Sequence, residues 1–221
     1  MTPSVNVPLR ILGIAVAVQI AAATSAWACD GQVGKVIFED SFADSLGGWD
    51  LGTGPASIKP PEMLFSVDKK NTGWSVHNLT FFATDGDYCL EAIVPPGKGV
   101  GIEFFATDYD NFLTAELAAD SSLWMSNKVS GKWTDLFHVT PVAAFKAGPN
   151  DVNALRVTEK NGLVTIYVNG SQTKAIRVQV PDVKTQFGVY GEFLDRSKAT
   201  DDSPPIRVKS FKVTTGESSG G

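Results

Sequence analysis

Three glutamates stand in strand-like segments where a carboxylate calls for an explanation. Glu103 lies between Ile102 and Phe104, and Glu116 between Ala115 and Leu117. Glu192 follows Tyr190 at alternate spacing. Side chains alternate across a strand, so if these segments are neighbouring strands the three acids and Tyr190 share one face. Such a face has two readings. It is a polar groove that hydrogen-bonds hydroxyl groups or holds an acid/base pair, or it is the solvent side of amphipathic strands, which alternation alone predicts.

The aromatic residues pose the same choice. Trp74, Trp124 and Trp133 lie in or beside strand-like runs, and a Trp ring serves either as a stacking surface or as core volume. Trp74 is the candidate for binding. His77 lies three residues on, which puts the two on opposite faces of a straight strand. His138, a lone histidine near a strand end, reads as structural. Asp108, Asp110 and Asn111 form an oxygen-rich turn that suits calcium. The same turn chemistry also satisfies hairpin backbone groups with no metal at all. Two asparagines, in Asn78-Leu79-Thr80 and Asn169-Gly170-Ser171, fit the N-glycosylation pattern.

The elements that must carry these residues read as strands. Beyond residue 28 helical periodicity is nearly absent, and short alternating runs are bounded by Gly, Pro, Asn and Asp. The clearest stretch is 153–180. Leu155 and Val157 alternate with polar neighbours, then Val164, Ile166 and Val168 do so after Asn161-Gly162. A second Asn-Gly follows at 169–170, and Asn-Gly favours the type I′ turns that match strand twist. A three-strand meander is expected there. Further strands are expected at 35–42, 63–67, 74–82, 88–94, 101–106, 112–118, 123–128, 134–139, 187–193 and 206–214. One turn of helix is expected at 142–146, and 196–205 reads as a surface loop. So many short strands without a linker imply one all-β, two-sheet antiparallel sandwich.

Composition and termini narrow the setting. The chain has 221 residues, 43% hydrophobic and 19% charged, with two His and two Cys. Two histidines exclude a multi-His metal centre. Residues 1–28 read as a cleaved signal peptide: Arg10, an apolar run from Ile11 to Ala23, then Ala26-Trp27-Ala28. That run is short for a bilayer span, and no later segment is a candidate. The sandwich is expected over 29–215, with 216–221 as a loose tail. Net charge is −5, and residues 1–28 contain one cation and no acid, leaving 18 Lys and Arg against 24 Asp and Glu, or −6. No polybasic patch for nucleic acid or anionic lipid is present.

Cys29 would open the exported chain. An oxidising compartment and an even count favour a disulfide with Cys89. A lipid-modified Cys29 and a pair of free thiols are the alternatives.

The order of motifs resembles one fold family. Phe38-Glu39-Asp40-Ser41-Phe42 with Gly47-Gly48-Trp49, Gly101-Ile102-Glu103-Phe104-Phe105 with Asp108-Tyr109-Asp110-Asn111-Phe112, Gly131-Lys132-Trp133, Tyr167-Val168-Asn169-Gly170 and Phe187-Gly188-Val189-Tyr190 together resemble concanavalin A-like lectin/glucanase sandwich domains. The resemblance spans about residues 36–214. It includes laminin G-like modules, family 16 glucanases and domains described as 3-keto-disaccharide hydrolases. It implies a curved jelly roll with glycans often bound on a concave face, and it puts Trp49 and Trp133 at core or turn positions, where they read as structural. The reading of the strands offers Glu103, Glu116, Tyr190, Glu192 and Trp74 as the ligand-binding candidates. The glucanase strand with three closely spaced acids is missing.

The leading expectation is therefore an exported carbohydrate- or glycan-surface-binding module without catalysis or cofactor. A 3-keto-glycoside hydrolase using the same carboxylates is one alternative, and a structural protein-interaction sandwich another. A groove with two carboxyls within about 10 Å points to hydrolysis. An aromatic platform without paired acids points to binding.

Overall fold

The computed structural model describes residues 29, 31–44, 47–82, 85–194 and 203–215. The expected leader, the tail and most of the 196–205 loop lie outside these residues. Among the described residues there is no helix, and fifteen strands form two antiparallel sheets.

The first sheet contains β1 (Val36–Asp40), β3 (Ala56–Lys59), β4 (Glu62–Phe65), β6 (Gly86–Ile93), β11 (Asn153–Lys160), β12 (Leu163–Val168), β13 (Ser171–Arg177) and β15 (Ile206–Thr215). Its order is β13-β12-β11-β6-β15-β4-β3, with β1 also paired to β15. The second contains β2 (Trp49–Asp50), β5 (Gly73–Phe82), β7 (Lys98–Asp108), β8 (Asn111–Ala118), β9 (Leu123–Val129), β10 (Lys132–Val139) and β14 (Thr185–Phe193). Its order is β10-β9-β8-β7-β14-β5-β2.

Alternation explains the layering. Tyr88, Leu90 and Ala92 of β6, Val164, Ile166 and Val168 of β12, and Phe211 and Val213 of β15 turn inward from the first sheet. Val100, Ile102 and Phe104 of β7, with Phe187 and Val189 of β14, meet them from the second. Both predicted Asn-Gly turns form, with positive φ at all four residues (Asn161 51°, Gly162 77°, Asn169 49°, Gly170 80°). Trp49 closes one end against Phe38, Phe187 and Phe211, and its indole N–H donates to Asp40 Oδ2 at 2.8 Å. It is structural, as expected.

Cys29 and Cys89 form the disulfide, with Cα atoms 5.8 Å apart. Cys89 lies on the outer side of β6, so the bridge staples the start of the described chain over that strand. Gln32 adds to the staple by donating to the Asp87 carbonyl at 2.7 Å. All eight residues of β6 are consequently buried on both faces.

Two expectations about elements are corrected. The short edge strands β2 and β3 were not anticipated, because two and four residues are too few to show a period. Residues 142–146 make a turn closed by Phe145 N–H to Val142 O at 3.1 Å, not a helical turn.

Candidate functional site

The outer face of the second sheet carries the polar residues. Register fixes two rows across it. One runs Asp135, Ser126, Thr114, Glu103, Gly188, His77 and Asp50, from β10 to β2. The next runs His138, Trp124, Glu116, Gly101, Tyr190 and Ser75. Glu192 stands one row further, opposite Gly99. The sheet therefore brings Glu103, Glu116, Tyr190 and Glu192 onto one face.

They do not form a plain solvent face. Glu103 is fully buried, and Glu116 is 5% exposed. Glycines explain how. Gly99 and Gly101 of β7 carry no side chain, so the Glu116 carboxyl lies across β7 over the space a Cβ at Gly99 would take. At Gly188 a Cβ would stand 2.6 Å from Glu103 Oε2 and 2.8 Å from the His77 ring.

Glu103 is held by two groups of β5. Ser75 Oγ donates to its Oε1 at 2.5 Å, and His77 Nε2 stands 2.9 Å from its Oε2. A carboxylate with no exposure needs such partners. His77 is sealed by Tyr109, whose ring stacks on it at 4.1 Å and 11°. The Tyr109 hydroxyl in turn donates to Asp50 Oδ2 at 2.8 Å. Burial and that Asp50 contact push the Tyr109 phenol up to about 12.

Glu116 and Glu192 meet as a carboxyl pair in hydrogen-bonding contact. Burial, with the Glu192 charge beside it, holds the Glu116 carboxyl well above the usual carboxylate range. Burial raises Glu192 too, and the bond from Glu116 pulls it partly back. Two adjoining carboxyls, one of them buried, oppose each other's ionisation, which is why both are raised. Tyr190 beside them is raised as well, first by burial and then by the Glu192, Glu116 and Glu103 charges.

Two adjoining clefts open on this face. The larger, about 640 Å³, lies among Asp50, Trp74, Ser75, Tyr109, Lys128 and Glu192. The smaller, about 260 Å³, is lined by Thr114, Glu116, Trp124, Ser126 and Asp135. Trp133, Tyr190 and Glu192 border both, so the clefts are continuous across these residues. Trp124 stacks on His138 at 3.6 Å and 8°, forming a flat aromatic edge.

Several expectations change here. Trp133 is 43% exposed between the clefts, not structural. His138 is exposed and backs Trp124. Both belong to β10, an edge strand whose register slips between Asp135 and Phe137. That bulge puts Asp135 and His138 on the same face although they are three residues apart. Trp74 is not an outward platform. With Val76 it turns to the core side of β5, its ring beside Gly52 and Gly54, and reaches the larger cleft from there.

The turn at 108–111 satisfies its own groups. Asp108 Oδ1 accepts from Asp110 N–H at 2.7 Å and from the Asn111 amide at 2.8 Å. Asn111 Oδ1 accepts from Ser130 N–H at 2.9 Å, and Asp110 pairs with Lys128 at 3.4 Å. Among the described residues no group of three His, Cys, Asp or Glu is placed to hold a metal ion. Both sequon asparagines are occupied inside the fold: Asn78 is buried and donates to Gly47 O, and Asn169 donates to Ala144 O at 2.7 Å.

Composition and alternation found the three glutamates and Tyr190. They missed Ser75, Asp50, Tyr109, Thr114, Ser126 and Asp135, whose only signal is their position opposite those acids once strand order is known.

No protein-family model matches the chain, and no curated protein matches it. Solved structures do. The carbohydrate-binding module CBM66 from Bacillus subtilis is 15% identical, covering 74% of this chain and 94% of that one, with a TM-score of 0.57. The Bacillus licheniformis beta-glucanase is 13% identical over 83% and 99%, with a TM-score of 0.60. The Emp47p carbohydrate recognition domain is 12% identical over 83% and 98%, with a TM-score of 0.63. At such identities the likeness concerns the fold, which is that of the concanavalin A-like sandwich. Among the described residues no helix is long and apolar enough to cross a membrane.

Proposed function

We propose that this chain is an exported glycan-binding protein whose ligand lies in the joined clefts on the outer face of the second sheet. The observation that carries this reading is the pairing of aromatic surfaces with fixed carboxyls in one groove. Trp133, Tyr190 and the Trp124–His138 stack offer flat rings. Glu116, Glu192 and Asp135 offer acceptors for hydroxyl groups, and sugar rings need both. The likeness in fold to carbohydrate-binding and carbohydrate-cleaving proteins supports it. The Cys29–Cys89 disulfide suits an oxidising compartment, in keeping with export.

A second reading, hydrolysis of a glycosidic bond, is favoured by one observation. Burial and the Glu192 charge raise the Glu116 carboxyl well above the usual carboxylate range, the direction a general acid needs. The groove does hold two carboxyls within about 10 Å, the arrangement expected of a hydrolase. Binding stands first because Glu116 and Glu192 touch, whereas a retaining pair flanks the sugar bond at about 5 Å and an inverting pair at more.

Glycan-array binding of residues 29–221, repeated with Trp133→Ala and Glu192→Ala, tests the first reading. Binding that weakens in both variants is the expected result. A blank array together with no release of reducing sugar from a panel of polysaccharides overturns both glycan readings and leaves a protein-interaction sandwich.

A further inference from the structure

The carboxyls on this face are unequally provided with cations. Glu103 has His77 and Ser75. Asp50 accepts from Tyr109, and Asp135 accepts from Ser126 Oγ at 2.9 Å. Lys128 is committed: its ammonium pairs with Asp110, donates to Tyr109 O at 2.8 Å and lies over the Phe112 and Trp133 rings. Among the described residues no Lys, Arg or His pairs with Glu116 or Glu192, whose carboxyls adjoin each other.

Two further atoms point into the same cleft. Glu116 Oε1 and Thr114 Oγ1 are buried without a hydrogen-bond partner, on side chains 5% and 2% exposed. Both residues line the smaller cleft. A buried acceptor left unmatched costs free energy, so such atoms mark a place for a donor. The walls around them are aromatic. Trp rings attract a cation over their faces, and a desolvated site strengthens that attraction.

We propose that the smaller cleft is a cation site. The glycan it takes carries a free amino group, whose ammonium sits between Glu116 and Glu192 beneath Trp124, Trp133 and Tyr190. This rests on the glycan-binding reading and names the sugar class. An ammonium carries three donors and a full charge. Thr114 Oγ1 and the two carboxyls supply three acceptors, and a neutral hydroxyl at the same carbon satisfies fewer of them. An N-acetyl group in that place removes the charge and adds bulk.

The charge change has a consequence. With an ammonium in place both carboxyls ionise, so any proton the raised pair still holds leaves to solvent as the ligand binds. The other groups facing the pair are Asp135 and His138 from β10, Glu103 from β7 with His77 behind it, and Tyr190 from β14. The acids and the phenol oppose that ionisation. The histidines, where protonated, favour it.

Three β-1,4-linked tetrasaccharides that differ only at carbon 2 (amino, N-acetylamino and hydroxyl) provide the test, by calorimetry on the disulfide-bonded chain. At about pH 6 an amine flanked by electron-withdrawing groups is still charged. The amino tetramer is expected to bind at least about tenfold tighter than either of the others. It alone should release about one proton per site, read from the dependence of heat on buffer ionisation. Glu116→Gln should cut the preference to about threefold or less and abolish the proton release, and Glu192→Gln, at a less buried position, should do the same. Binding of all three within about twofold, or a preference for the hydroxyl form, overturns the cation site while leaving the glycan face standing. Failure of all three to bind, with a blank glycan array, overturns the glycan reading and this inference with it.

Discussion

The Glu116 carboxyl crosses β7 to meet the carboxyl of Glu192, over the gap left by Gly99. Neither acid reaches the other along its own strand. The meeting depends on β7 lying between β8 and β14 and on glycine at that point. A methyl group at Gly99 strikes Glu116 Oε1 before any backbone atom. Gly99→Ala is therefore expected to cost only about 1 kcal/mol in urea unfolding, while weakening glycan binding by about tenfold or more in a titration. An unchanged affinity would show that the pair takes no part in binding.

The pair also predicts an inverted pH response. A raised folded-state carboxyl favours folding while it is protonated. That contribution is present below the ordinary carboxylate pKa of about 4.3 and is lost as pH rises through the folded value. Chemical denaturation between about pH 4 and pH 8 should therefore show a loss of stability with rising pH, and Glu116→Gln should flatten it. Glu62 runs the other way. Hydrogen bonds from Arg207, then Lys209, hold it at about 2, so its contribution stands above the ordinary carboxylate pKa and disappears as pH falls toward 2.

The disulfide closes a loop across a sequence separation of 60 residues. Chain entropy gives about 4 kcal/mol for a loop of that length. Cys89→Ala, or reduction of the native chain, is expected to lower unfolding free energy by roughly that amount. It should also speed hydrogen exchange at β6, whose outer side the staple covers.

Two tryptophans separate structure from binding. Trp49 packs against three core phenylalanines, so Trp49→Ala is expected to destabilise by about 3–5 kcal/mol. Trp133 is 43% exposed on the cleft edge. Trp133→Ala should change stability by less than about 1 kcal/mol, yet reduce glycan affinity at least about tenfold. Thermal unfolding beside calorimetric titration distinguishes the two.

Much of this architecture is written locally. The Asn-Gly turns at 161–162 and 169–170 fix the meander, and alternation fixes which residues of each strand face inward. The site is legible only in part. Alternation placed Glu103, Glu116 and Glu192 on an outer face but not out of water. The burial of Glu103 and Glu116 comes from Gly99, Gly101 and Gly188 on neighbouring strands and from Tyr109 folding over His77. These relations join residues far apart in the chain, so no local pattern carries them. Trp133 was misread because its exposure follows from its place on β10, the edge strand of the sheet. Trp74 turns to the core side of β5, yet it borders the larger cleft.

The most direct test is to map glycan contact on the folded chain by NMR. With the best ligand from the array, the indole signals of Trp124 and Trp133 and the backbone amides of Thr114, Glu116 and Tyr190 are expected to shift on titration. The Cys89 and Arg156 amides on the opposite sheet should stay in place. Shifts confined to that opposite sheet, with the two indoles unmoved, would contradict a glycan site on the face that holds Glu116 and Glu192.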